Sequence, residues 1–88
     1  MLQGQFTLLN SEGLHARPAG IIVKTSNEFQ SKIEIVVDGN RVNGKSMMSL
    51  LGLGLEGGAQ FELCVHGADE AQAFAKMQDL IQNKFYVS

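Results

Sequence analysis

The stretch with the clearest chemistry is Gly13-Leu14-His15-Ala16-Arg17-Pro18-Ala19. An imidazole is a nucleophile near neutral pH, because its ordinary pKa is ~6.5. Arg17 lies two residues on and brings a fixed cation whose planar fork matches phosphate oxygens. Pro18 lacks an N–H and is tolerated in a helix only in its first turn, so a helix must begin within two or three residues of His15. Such a start leaves the N–H groups of Ala16 and Arg17 without intrahelical partners, at the positive end of the helix dipole. A dianion is stabilised there. The set describes a histidine that accepts a phosphoryl group next to a phosphate-binding backbone. Gly13, Ala16, Ala19 and Gly20 are small and leave a partner room to reach the ring. Handing the group to another protein then asks for positioning and charge stabilisation more than for new covalent machinery. A plainer reading also fits these few residues, with His15 in a surface loop and Arg17 as a solvated charge.

Ser46 is the second residue of interest. It precedes a short apolar run over residues 47–53 and reads as a helix N-cap. A phosphate on its hydroxyl would meet helix N–H groups. Met47, Met48 and Leu51 cannot all face inward on so short a helix, because Leu50 and Leu53 compete for those positions. Plain core packing fits, and so does an exposed apolar patch whose methionines repack against several partners.

The elements that must position these residues follow from periodicity. Leu2, Phe6 and Leu8 share one parity with Gly4, against Gln3, Gln5 and Thr7, the pattern of a half-buried strand. Asn10-Ser11-Glu12-Gly13 is a turn cluster. From Ala16 the period changes, and Ala19, Ile22, Val23, Ser26 and Phe29 make one helical face. Ile33, Ile35 and Val37 alternate with Lys32 and Glu34; Asp38-Gly39-Asn40 turns the chain, and Arg41-Val42-Asn43 returns it. The helix after Ser46 is expected to stop at Gly52 and Gly54, and Glu56-Gly57-Gly58 to form a loop. Phe61, Leu63 and Val65 alternate with Gln60, Glu62 and Cys64 in a fourth strand. Asp69 with Gln72 three residues later fits a capping box. The last helix is expected to turn Ala71, Phe74, Ala75, Met77 and Ile81 inward and to run to about Lys84. The order βαββαβα predicts an α+β domain, one sheet with its helices on one face, because a sheet this small must bury one side.

Length and composition bound the function. The 88 residues suit one domain over residues 1–88. Seven Lys and Arg against nine Asp and Glu give a net charge of −2, which argues against direct nucleic-acid binding or a cationic membrane surface. With 44% hydrophobic and 18% charged residues, the chain is expected to fold. Cys64 is the only cysteine, so no intramolecular disulfide forms and a reducing cytosol is the default. No run approaches the ~18 apolar residues of a membrane span, and the first residues lack a secretory pattern. A cytoplasmic chain without membrane insertion is the expectation.

Two further stretches extend the argument: Asn43-Gly44-Lys45-Ser46-Met47-Met48-Ser49-Leu50-Leu51-Gly52-Leu53 and Val65-His66-Gly67-Ala68-Asp69-Glu70-Ala71. Together with residues 13–19 they resemble, in register, the signature of the HPr family, the histidine-containing phosphocarriers of the phosphoenolpyruvate–sugar phosphotransferase system. The resemblance runs from residue 2 to about residue 84. It implies an open-faced β-sandwich, with four antiparallel strands in the order 1-4-2-3 and three helices on one face. It implies that His15 takes a phosphoryl group from phosphorylated Enzyme I, on Nδ1, and gives it to IIA domains of sugar permeases, with Arg17 stabilising the phosphate. It implies partner docking through Gly20, Lys24, Met47, Met48 and Leu51, although position 51 is often Met in relatives. By the same resemblance, Ser46 is the target of HPr kinase/phosphorylase, and the product acts with a catabolite-control transcription regulator. No cofactor and no metal are implied, and transient docking suits a monomer.

Other signals carry less. Gly52-x-Gly54-x-x-Gly57 matches a dinucleotide fingerprint only formally, since it follows a helix and precedes a strand. Cys64 and His66 lie two apart with no further Cys to complete a zinc set. Neither paired acid–base carboxylates nor a nucleophile–base dyad is evident, so the expectation is a phosphoryl relay and not an independent enzyme. Two alternatives remain at this point: a paralogue serving a nitrogen-related or dihydroxyacetone kinase branch, and a non-catalytic α+β binding module in which His15 is incidental.

Overall fold

The alternating segments become the strands of one sheet in the computed structural model, which describes residues 1–87. The elements are β1 (Leu2–Thr7), α1 (Ala16–Ser26), β2 (Lys32–Val37), β3 (Asn40–Asn43), α2 (Met47–Gly52), β4 (Gln60–His66) and α3 (Glu70–Gln82), followed by a 3-10 turn at Lys84–Tyr86. The strand order is β1-β4-β2-β3, and every neighbouring pair is antiparallel. No helix among the described residues is long and apolar enough to cross a membrane.

Strand parity decides what is buried. Ile33 lies opposite Val65, and Ile35 opposite Leu63. These four join Phe61, Ala19 and Ile22 of α1, Leu50 of α2, and Ala73, Met77, Leu80 and Ile81 of α3 in a single core. Phe6 faces Phe61 across the β1–β4 pair with ring centroids 6.2 Å apart, and it meets Phe74 of α3 at 6.0 Å. Cys64 has the opposite parity, between Gln3 and Glu34 in the register, yet it is buried. Its Sγ donates to Glu62 Oε1 at 3.3 Å. Burial first, and then Glu62, push its thiol pKa up. Arg41 Nη1 donates to Glu34 Oε1 at 2.8 Å nearby.

The start of α3 differs from expectation. Asp69 makes no side-chain cap bond. Its carboxylate instead accepts from the backbone N–H groups of Gln30 and Ser31, each at 2.9 Å, and from the Ser31 hydroxyl. The partners are 38 and 39 residues away in the chain, so a long-range tie between the α1–β2 turn and α3 replaces the local box with Gln72. Glu70 takes up the terminal donor, its Oε1 accepting from Gly67 N–H at 3.1 Å.

The inward face of α3 is also rotated from the expected one. Met77 and Ile81 are buried as expected and Phe74 is half-buried, but Ala71 and Ala75 are exposed, while Ala73 and Leu80 are buried. The larger Met77, Leu80 and Ile81 set the helix rotation, because they carry far more apolar area than an alanine. On α1, Val23 is only half-buried, and Phe29 is half-buried beyond the helix end at Ser26. Nor does α3 reach Lys84: it ends at Gln82. Lys84, Phe85 and Tyr86 then adopt φ of +54°, +58° and +56°. That conformation is costly for residues with a Cβ. It is held by the buried Phe85 ring and by Tyr86 Oη donating to Asp79 Oδ2 at 2.7 Å.

The Asp69 tie makes stability acid-sensitive. Hydrogen bonds from the Ser31 side chain and the Gln30 backbone hold its carboxyl below the ordinary carboxylate range. A depressed folded-state pKa contributes stability that is present above the unfolded value and lost as pH falls through the folded one. Asp69→Asn is therefore expected to melt below wild type at neutral pH, with the gap narrowing as pH drops from about 5 toward about 2. Thermal melts across that range check this, and a gap independent of pH would contradict it.

Candidate active site

His15 is the N-cap of α1, with extended backbone at φ −83° and ψ −179°. Its carbonyl accepts the first intrahelical bond, from Ala19 N–H at 2.9 Å. Its side chain makes no cap bond, so the imidazole is left 61% exposed. At such a helix start the N–H groups of Ala16 and Arg17 have no intrahelical acceptor, and Pro18 has no N–H to offer. Pro18 and Ala19 are buried, whereas Ala16 and Arg17 are exposed. The first turn is thus fixed to the core on one side and open on the other, with an exposed guanidinium in the same turn as the ring.

What aims this turn is the contact between two loops. Leu14 is buried, and its N–H donates to the Leu55 carbonyl at 2.9 Å. Gly13 has φ +76°, and a Cβ there would lie 2.4 Å from the Leu55 oxygen. Only glycine fits both the left-handed backbone and the close approach. On the facing loop, a Cβ on Gly57 would lie 2.5 Å from the Ser11 carbonyl oxygen. Asn10 closes the turn, with Nδ2 donating to the Gly13 carbonyl at 2.6 Å and its own carbonyl accepting from Gly13 N–H at 3.1 Å. The chain therefore leaves Leu14 in one direction, and His15 begins the helix.

The remaining residues singled out in the sequence lie on α1 and α2, which pack together. Gly20 is half-buried, and a Cβ there would meet nothing within 4 Å. Lys24 is exposed in the last turn of α1. Ser46 is the N-cap of α2, its Oγ accepting from Ser49 N–H at 3.3 Å and lying 2.9 Å from Ser49 Oγ. Leu50 takes the inward position, and Met47 and Leu53 are half-buried. Met48 is 81% exposed and Leu51 38%. Of the two readings of this helix, the exposed patch holds for Met48 and Leu51, and core packing holds in part for Met47. One neighbour of the site was not singled out in the sequence: Glu12, whose Oε2 lies 3.9 Å from His15 Nδ1. The spacing of three residues across a turn was the available signal.

The family model described as the phosphorylation site of the HPr component of the phosphotransferase system matches residues 2–83. The chain belongs to the HPr family. The phosphocarrier protein HPr of Treponema pallidum (strain Nichols) is 45% identical over 78 residues, 89% of each chain. The crystal structure of HPr-C-His from Thermoanaerobacter tengcongensis matches with a TM-score of 0.95 at 38% identity, over 100% of this chain and 99% of that one. A second crystal structure, of an HPr dimer from the same organism, matches with a TM-score of 0.75 at 38% identity, over 99% and 100% of the two chains. The sheet order expected from the HPr resemblance is the order observed. The chain is accordingly a phosphocarrier of the phosphotransferase system.

Two glycines in this HPr-family site are expected to behave oppositely. Gly13→Ala forces a Cβ against the Leu55 carbonyl at positive φ and is expected to cost about 1–3 kcal/mol. Gly20→Ala meets open space and is expected to stabilise by about 0.5–1 kcal/mol, the helix-propensity difference. Urea denaturation of both variants measures this, and equal effects would contradict it.

Proposed function

We propose that His15 is the acceptor: it takes a phosphoryl group from phosphorylated Enzyme I and passes it to IIA domains of sugar permeases in the cytoplasm. The observation that carries this reading is the exposed His15 imidazole at the N-cap of an eleven-residue helix, beside the N–H groups of Ala16 and Arg17, which have no intrahelical acceptor. Those two N–H groups and the Arg17 guanidinium bind the arriving dianion. They act in the resting carrier without rearrangement, which is what makes such stabilisation effective.

Partners dock over the exposed faces of α1 and α2. Gly20 keeps the helix surface low, Lys24 adds a cation, and Met47, Met48 and Leu51 supply an adaptable apolar patch. Leu51 is a branched side chain where relatives often carry the more flexible Met. The carrier works as a monomer in transient pairs, since each transfer needs the same face to be free. Ser46 is the regulatory position, phosphorylated by HPr kinase/phosphorylase and then read by a catabolite-control transcription regulator. Its Oγ already serves as an acceptor at the start of α2, so a phosphate ester keeps that role while adding negative charge next to Met47 and Met48. The segment around Ser46 favours the sugar branch over a nitrogen-related or dihydroxyacetone kinase branch.

Incubation with phosphoenolpyruvate and Enzyme I is expected to add one acid-labile phosphoryl group by intact mass, and none to His15→Ala. HPr kinase/phosphorylase with ATP is expected to add a second, acid-stable group at Ser46. A labelled His15→Ala chain removes the acceptor assignment, and an unlabelled Ser46 removes the regulatory one. Met48→Asp is expected to fold normally and to raise the KM for transfer about tenfold, the size of a central interface contact. Unchanged steady-state transfer to and from both partners would sink the docking surface.

A further inference from the structure

We propose that Glu12 is an electrostatic positioning residue for the reaction at His15: it weakens the hold on the phosphoryl group once that group has arrived. The inference rests on His15 being the acceptor, through Nδ1 as the HPr resemblance implies. Glu12 Oε2 lies 3.9 Å from Nδ1, and both side chains are largely exposed. Among the described residues, no Lys or Arg forms an ion pair with Glu12. The turn that carries it is not loose. Asn10 Nδ2 donates to the Gly13 carbonyl, Gly13 N–H donates to the Asn10 carbonyl, and Gly57 packs against the Ser11 carbonyl. The backbone that carries Glu12 is therefore fixed, and its carboxylate lies on the Nδ1 side of the ring.

In the transfer step the Nδ1 lone pair forms the new N–P bond. The bond from phosphorus to the donor nitrogen breaks, and its electron pair stays with the donor. The ring keeps its proton on Nε2, so the acceptor neither gains nor loses a proton. The product places about two negative charges on the side of the ring that Glu12 faces. The N–H groups of Ala16 and Arg17 and the Arg17 guanidinium attract that charge, and Glu12 repels it. A carrier that bound the group with attraction alone would accept it well and release it poorly, because ground-state stabilisation of the loaded form raises the barrier to leaving. Glu12 opposes this from the one nitrogen where the group sits. The pair is exposed, so the effect is a factor of a few and is sensitive to salt.

The test compares wild type with Glu12→Gln and Glu12→Lys. Each is equilibrated with Enzyme I at one fixed ratio of phosphoenolpyruvate to pyruvate, and the phosphorylated fraction is read by intact mass. The equilibrium constant for loading is expected to rise about two- to fivefold for Glu12→Gln and further for Glu12→Lys, with both differences shrinking at about 1 M salt. A structural role for Glu12 would order the variants neither by charge nor by salt. Equal loading in all three chains, or differences that salt leaves intact, overturns the inference. Phosphoramidate, which delivers a phosphoryl group as ammonia leaves, is run in parallel without Enzyme I. If Enzyme I loads none of the chains but phosphoramidate loads His15, the Enzyme I assignment fails. The yields with phosphoramidate then decide the role of Glu12 by the same ordering. If neither donor labels His15, both readings fall.

Discussion

The loop before α1 and the loop before β4 approach so closely that neither can carry a Cβ at the point of contact. Gly13 lies against the Leu55 carbonyl, and Gly57 against the Ser11 carbonyl. The Leu14 N–H bond to Leu55 and the buried Leu14 side chain close the contact. The placement of His15 hangs on it, because His15 is the next residue. The chain leaves the contact with extended backbone and turns directly into α1, so the imidazole is exposed and the first N–H groups of the helix have no intrahelical acceptor. The sheet supplies the rigidity behind this arrangement: Ala19 and Ile22 of α1 share one core with Ile33, Ile35, Leu63 and Val65.

The resulting site is shallow and exposed, which suits a carrier better than an enzyme. In the proposed relay it admits its protein partners in turn, which suits phosphate-binding groups built from backbone and one flexible cation. The electrostatics are moderate for the same reason. In the proposed reading, two N–H groups and a guanidinium favour the phosphoryl group, and the Glu12 carboxylate, 3.9 Å from Nδ1, opposes it. Beyond the ring, Met48 and Leu51 remain exposed because Leu50 alone fills the inward position on a six-residue helix. The exposed apolar area is therefore a consequence of helix length, not an addition to the fold.

Much of this was legible in the sequence because it is local. Strand alternation, the turn at residues 38–40, the position of Pro18 and the cap at Ser46 each depend on residues a few places apart. The spacing of His15, Arg17 and Pro18 puts the imidazole at the start of α1, where the structure has it. What escaped was long-range or rotational. Asp69 looked like a local cap and is a tie to Gln30 and Ser31, a partnership no short window contains. The inward face of α3 was misplaced at Ala71 and Ala75 because alanine reports weakly on burial, and the large residues at 77, 80 and 81 decided the rotation. Phe85 adopts a conformation that its residue type disfavours, so only packing could reveal it. Glu12 was read as a turn residue, since its nearness to Nδ1 depends on the left-handed Gly13 between them.

The central claim is that the unpaired N–H groups at the start of α1 bind the phosphoryl group on His15. The most direct measurement is the backbone amide spectrum of uniformly 15N-labelled protein before and after loading by Enzyme I. Phosphoryl binding by these groups is expected to shift the Ala16 and Arg17 amide protons far downfield and to leave the α3 amides unmoved. A loaded carrier whose Ala16 and Arg17 amides stay where they were would contradict it.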